Sequence, residues 1–87
     1  MSRGYVISRV DITNPGAYAR YAAAATKPLA CGGRSEALEG KARARNVVLE
    51  FESYDAAHRY FHSEQYQAAR ALREGAADME MVLVEGV

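Results

Sequence analysis

The chain has 87 residues, and its eleven lysines and arginines are balanced by eleven aspartates and glutamates. A chain of this length makes one domain that buries a modest share of its surface, so a second subunit is an expected source of further burial. Zero net charge gives no field to steer nucleic acid or an anionic membrane, and no apolar run approaches the ~20 residues of a membrane helix.

The opening Met1-Ser-Arg-Gly-Tyr5 has no apolar stretch of the signal-peptide kind. Cys31 is the only cysteine, and a lone thiol fits a reducing compartment. The expectation is a cytoplasmic protein with neither nucleic acid nor membrane as partner.

Gly4 to Asp11 reads as a first strand. Tyr5, Ile7 and Arg9 share one face, and Val6, Ser8 and Val10 the other. Both faces carry apolar residues, so both are expected to be covered at least in part. Asn14-Pro15 then opens a helix, because asparagine caps well and proline fits the first helical position. Tyr18, Tyr21, Ala22 and Ala25 fall on one helical face. Thr26-Lys27-Pro28 and Cys31-Gly32-Gly33 stop it.

Ser35, Ala37 and Glu39 alternate with Glu36 and Leu38, so Arg34 to Gly40 is expected to form a short edge strand. The clearest strand is Arg45 to Glu52. Val47, Leu49 and Phe51 give it one wholly apolar face, and Asn46, Val48, Glu50 and Glu52 a mixed one. Ser53 caps the next helix, and Asp55 suits its positive end. Tyr54, Ala57, Tyr60 and Phe61 recur at helical spacing. Ser63 and Glu64 offer a second cap ahead of Tyr66, Ala69, Leu72 and Arg73, so this stretch is either one kinked helix or two short ones. Gly75 ends it, and Asp78 to Glu85 is the last strand, with Met79, Met81 and Leu83 opposite Glu80, Val82 and Val84.

The predicted fold is therefore α+β: a ferredoxin-like βαββαβ chain with a four-stranded antiparallel sheet, two helices on one face and a short or partly missing second strand. The other sheet face keeps apolar residues, which points to a homodimer packed sheet on sheet with a cavity as the ligand site.

Several segments together resemble the DUF1330 family. Asp11-Ile-Thr-Asn14-Pro15-Gly-Ala-Tyr18-Ala-Arg-Tyr21 is similar to its Asp-x-x-Asp-Pro-x-x-Tyr-x-x-Tyr opening. Pro28-Leu29, Gly32-Gly33-Arg34 and Glu36-Ala37-Leu38-Glu39-Gly40 match its middle. Asn46 to Ala57, then Tyr60 and Ser63-Glu64-Gln-Tyr66-Gln, match its most recognisable block. The resemblance spans nearly the whole chain and implies a dimeric α/β barrel. Proteins sharing that fold include cofactor-free monooxygenases, muconolactone-isomerase-like enzymes and haem enzymes, but fold alone does not carry function.

In the family, Gly-Gly-Arg leads through a longer apolar strand to a second Gly-Gly; here Arg34 runs directly into Ser35-Glu36. About one strand, on the order of 5–6 residues, is absent. This reads either as a true deletion, which would shorten an edge strand and open one side of the cavity, or as residues that the protein has and this sequence omits, which would change nothing chemical.

Glu50 is the first candidate for chemistry, since a carboxylate among apolar neighbours on a central strand can act as a general base. The plainer reading pairs it with Arg9 or Arg34. Tyr5, Arg9, Tyr18 and Arg34 are the expected substrate-binding residues beside it. Tyr18 and Tyr21 share a helix face, and packing on the sheet is the commoner fate of such rings.

His58 and His62 have the spacing of two imidazoles on one metal, but no glutamate follows the first and no third ligand is evident, so no metal is expected. Cys31 has no visible partner base. Met79 and Met81 read as filler, and no phosphate-loop pattern occurs, so no cofactor is expected. The functional expectation is a small homodimer that binds or transforms a small organic molecule in a cavity on the sheet face. The alternative is a non-catalytic assembly module whose interface is filled.

Overall fold

A computed structural model describes residues 2–87. The elements in order are β1 (Gly4–Ile12), α1 (Pro15–Ala24), β2 (Ala30–Cys31), β3 (Arg45–Phe51), α2 (Tyr54–Phe61), α3 (Glu64–Leu72) and β4 (Ala77–Glu85). The four strands form one antiparallel sheet in the order β2-β3-β1-β4.

The helix starts follow their caps. Asn14 Oδ1 accepts from the Ala17 N–H at 3.2 Å, Ser53 Oγ from Ala56 at 3.0 Å, and Ser63 Oγ from Tyr66 at 3.1 Å. Each satisfies one donor that the first turn would otherwise leave unpaired. Gly75, with φ at 75°, turns the chain out of α3 into β4. The carbonyl of Ala76 accepts from both Thr13 and Asn14, at 2.8 and 2.9 Å. That tie holds the start of α1 beside the end of α3.

Strand parity decides what faces the helices. Val6, Ser8 and Val10 of β1 are buried, whereas Tyr5 and Ile7 are half-buried and Arg9 is exposed. Val10 packs with Tyr18, Tyr21, Tyr66 and Ala69, and Met79 and Met81 close around them. A second cluster joins Val6, Leu49 and Ala57 to Val47, Phe51 and Leu83. All three helices thus cover the face of Val6, Ser8, Val10, Val47, Leu49, Phe51, Met79, Met81 and Leu83. Gly4 marks the tightest approach. A Cβ there would sit 2.7 Å from the Ser53 carbonyl carbon and 2.8 Å from the Tyr54 Cα, so the start of α2 lies directly on β1.

Two expectations are corrected. Arg34 to Gly40 is not a strand. The edge strand is only Ala30–Cys31, paired with Val48 and Val47. Its pairing begins where the Leu29 N–H meets the Val48 carbonyl at 2.7 Å. Every residue from 29 to 42 is exposed, and Leu38 is 86% exposed, so 34–40 has no apolar side to bury against β3. The helices number three, not two. The Ser63 hydroxyl both caps α3 and donates to the Tyr60 carbonyl at 2.6 Å, which ends α2 and starts α3 at one residue.

Candidate functional site

Tyr5 stands directly opposite Glu50 in the β1–β3 register, so both project from the sheet face away from the helices. The Tyr5 hydroxyl donates to Glu50 Oε2 at 3.0 Å, and Arg3 Nε lies 3.9 Å from the same oxygen. The carboxylate favours the neutral phenol, so this hydrogen bond pushes the Tyr5 pKa up; the small desolvation at the site acts in the same direction. The phenol keeps its proton and the carboxylate is the acceptor, so the two are held as a fixed donor–acceptor pair on this face. Glu50 therefore takes Tyr5 and Arg3 as partners, not Arg9 or Arg34.

Arg9 points from the same face and donates to the Lys41 carbonyl. It lies four residues along β1 from Tyr5, about 13 Å at the rise of a strand. Beside it, Arg43 reaches Asp11 Oδ2 at 2.9 Å, Asp78 Oδ2 at 3.0 Å and Glu80 Oε1 at 2.9 Å. Hydrogen bonds to Asp78 and Glu80 raise its already high pKa. Together, Arg9 and Arg43 pin the end of the long loop 32–44 onto this face. Arg34, in the exposed part of that loop, joins none of these groups.

Tyr18 lies on the opposite side of the sheet. It lines a cavity of about 40 Å³ with Ser8, Cys31, Leu49 and Met79, under α1. Ser8 is the one buried polar residue of the described core. Burial pushes the Tyr18 pKa up, and the nearby Arg45 charge pulls against it. The Arg45 guanidinium carbon stands 5.4 Å from the Tyr18 ring centroid, and Nη2 donates to Cys31 Sγ at 2.9 Å. The sequence reading passed over Arg45. Its parity with Val47 and Leu49 was the available signal, since it places the guanidinium on the helix side.

The largest apolar cleft is elsewhere again. It holds about 410 Å³ between α2 and the edge strand β4, and is lined by Val6, Tyr54, His58, Phe61, His62 and Met81, among others. The His58 and His62 ring centroids are 4.5 Å apart. Among the described residues, no group of three or more His, Cys, Asp or Glu side chains is placed to hold a metal ion. Nor is any helix among them long and apolar enough to cross a membrane.

The expected site residues thus divide. Tyr5, Glu50 and Arg9 share the open sheet face, Tyr18 is under the helices, and Arg34 is in the loop. A search of curated proteins found no match. A family model described as a domain of unknown function, DUF1330, matches residues 3–87, and the chain belongs to that family.

Proposed function

We propose that this DUF1330 chain is one subunit of a ferredoxin-like homodimer, packed sheet on sheet, that binds or transforms a small organic molecule against the open sheet face. The element order and the strand order β2-β3-β1-β4 support the ferredoxin-like reading. The observation that carries the proposal is the apolar stripe on that face. Ile7 is paired with Val48 on one side and Val82 on the other, and Val84 continues the stripe beside Tyr5. Val82 is 53% exposed and Val84 42%.

Such a stripe on a small domain is a surface that burial against a second copy stabilises. Its two ends are polar: Tyr5 with Glu50 at one, Arg9 with the Arg43 cluster at the other. In the dimer these ends border the interface, and Glu50 is the proton acceptor nearest any ligand held there. A filled interface without catalysis is the second reading. It is favoured by one observation, that Glu50 already has Tyr5 and Arg3 as partners.

Static light scattering at micromolar protomer concentration tests the assembly. A dimer is expected for the wild type and a monomer for Ile7→Lys, with far-UV circular dichroism unchanged. A wild-type monomer would end the proposal. Thermal-shift screening of small organic acids on the dimer, with Glu50→Gln as control, separates the ligand reading from the filled interface.

A further inference from the structure

The cleft between α2 and β4 is separate from the Tyr5–Glu50 end of the open face, and none of the expected site residues lines it. We infer that it is a binding site for a small, flat aromatic molecule carrying one oxygen acceptor, such as an aryl ketone. Its volume of about 410 Å³ lies within the ~300–1,000 Å³ of small-ligand sites. The inference deepens the ligand-binding part of the proposed function and does not depend on the dimer.

The floor is apolar: Val6, Ala57 and Leu83, with the thioether of Met81. The walls are rings. Tyr54, His58, Phe61 and His62 all border the space. Phe61 and His62 stand edge to face, with centroids 5.2 Å apart. Ring walls and a methionine favour a planar aromatic guest, which gains both stacking and sulfur contacts.

The polar side chains are the two imidazoles and the Tyr54 hydroxyl, each of which can donate a hydrogen bond. Both imidazoles are exposed at the rim, where a ring N–H can donate in either protonation state. The competing acceptors at this end of α2 are already used. The His62 N–H takes the His58 carbonyl, Ser63 Oγ takes that of Tyr60, and Gln67 Nε2 takes that of Phe61 at 2.7 Å. With these backbone carbonyls taken, the side-chain N–H and O–H groups at the rim are what an oxygen acceptor on a guest would meet. It sits at the C-terminal end of α2, whose dipole opposes a full negative charge. A neutral carbonyl fits better than a carboxylate.

The test is an amide NMR titration of the full chain with acetophenone, ethylbenzene and benzoate, with light scattering on the same samples. Acetophenone is expected to shift Tyr54, Ala57, His58, Phe61 and the Met81 to Leu83 segment saturably. It should bind about tenfold more tightly than ethylbenzene, the worth of one good hydrogen bond, and more tightly than benzoate. The triple variant Tyr54→Phe, His58→Phe, His62→Phe keeps the rings and removes the donors, so the preference for acetophenone over ethylbenzene should vanish while both still bind.

Equal affinities in the wild type would overturn the inference. So would a preference that survives in the triple variant, shifts that map to another surface, or binding of benzoate in preference to the ketone. Val82 also belongs to the proposed dimer stripe, so only movement of the α2 amides of Tyr54, Ala57, His58 and Phe61 on dilution without ligand would mean that a second copy fills the space, and would overturn it too. A monomer by light scattering would remove the dimer and leave this site to stand on the titration alone.

Discussion

The hydroxyls of Tyr21 and Tyr66 meet at 2.9 Å in the middle of the helix-side core, where Tyr21 is 6% and Tyr66 1% exposed. Each is the other's nearest partner; the Arg73 guanidinium also lies beside both hydroxyls, and Tyr66 has a weak contact to Met81 Sδ at 3.8 Å. Replacing either tyrosine by phenylalanine keeps the ring and its packing but takes from the other hydroxyl its nearest partner. A stranded buried hydroxyl costs about 1–3 kcal/mol, whereas removing both partners is close to neutral. Tyr21→Phe and Tyr66→Phe should therefore each destabilise by about 1–3 kcal/mol. The double variant should lose no more than about 1 kcal/mol, so the coupling is at least about 1 kcal/mol and larger the more each single variant costs. At about 4–8 °C per kcal/mol for a domain of this size, each single variant melts roughly 4–24 °C lower, and the double recovers most of that. Urea unfolding at one fixed protomer concentration is the assay, because self-association would make the midpoint depend on concentration. Additive single effects would refute the reasoning, since they would mean that water or another group already satisfies each hydroxyl.

Gly4→Ala should cost about 1–3 kcal/mol by overpacking against Ser53 and Tyr54, while Gly16→Ala, with no neighbour nearer than 3.6 Å to its new carbon, should be neutral or stabilising; thermal unfolding of both settles it. Arg43→Ala should leave Asp11, Asp78 and Glu80 facing one another, raise hydrogen exchange across 34–44 and lower the melting temperature, a loss that shrinks in 1 M salt. Burial raises the pKa of Tyr18, Tyr21 and Tyr60, so the folded state keeps protons that the unfolded chain loses near pH 10. Their contribution is whole below that pH and is lost as pH rises above it, by at most about 1.4 kcal/mol per tyrosine per pH unit. Urea midpoints measured from pH 9 to 12 should fall accordingly, and a flat curve would contradict the burial.

The strands and caps were legible because their signals are local. The alternation of Val47, Leu49 and Phe51 needs no partner to be read, and Asn14, Ser53 and Ser63 each act on a backbone N–H three residues away. The loop was not legible, because alternation in Arg34 to Gly40 is a pattern without burial behind it. What fixes this segment is tertiary: Arg43 finding three carboxylates on β1 and β4, and Arg9 finding the Lys41 carbonyl. The α2–β4 cleft was hidden for the same reason. His58 and His62 were visible as a pair, but the wall that makes a cleft of them, Met81 to Leu83, comes from the far end of the chain.

The division of the expected site follows from arithmetic on β1 and β3. Tyr5 and Ser8 are three apart, and Arg45 and Glu50 are five apart, so in a strand each pair must point to opposite faces. Tyr5 and Glu50 are directly opposite one another, which puts them together on the open face. Ser8 is paired with Val47, two residues from Arg45, which puts both on the helix side with Tyr18 and Cys31. A one-residue slip that moved Glu50 beneath Tyr18 would also turn Val47, Leu49 and Phe51 out of the core, so the sheet between the two groups is fixed. No single pocket in one subunit can therefore use both Glu50 and Tyr18. Glu50 meets a guest on the open face alone, whereas the cavity beneath α1 is lined by hydroxyls, a thiol, a thioether, tyrosine rings and aliphatic side chains, with no carboxylate. This makes Glu50→Gln and Tyr18→Phe independent probes. If both altered one binding constant by the same factor, the two faces would have to communicate through the backbone of the sheet.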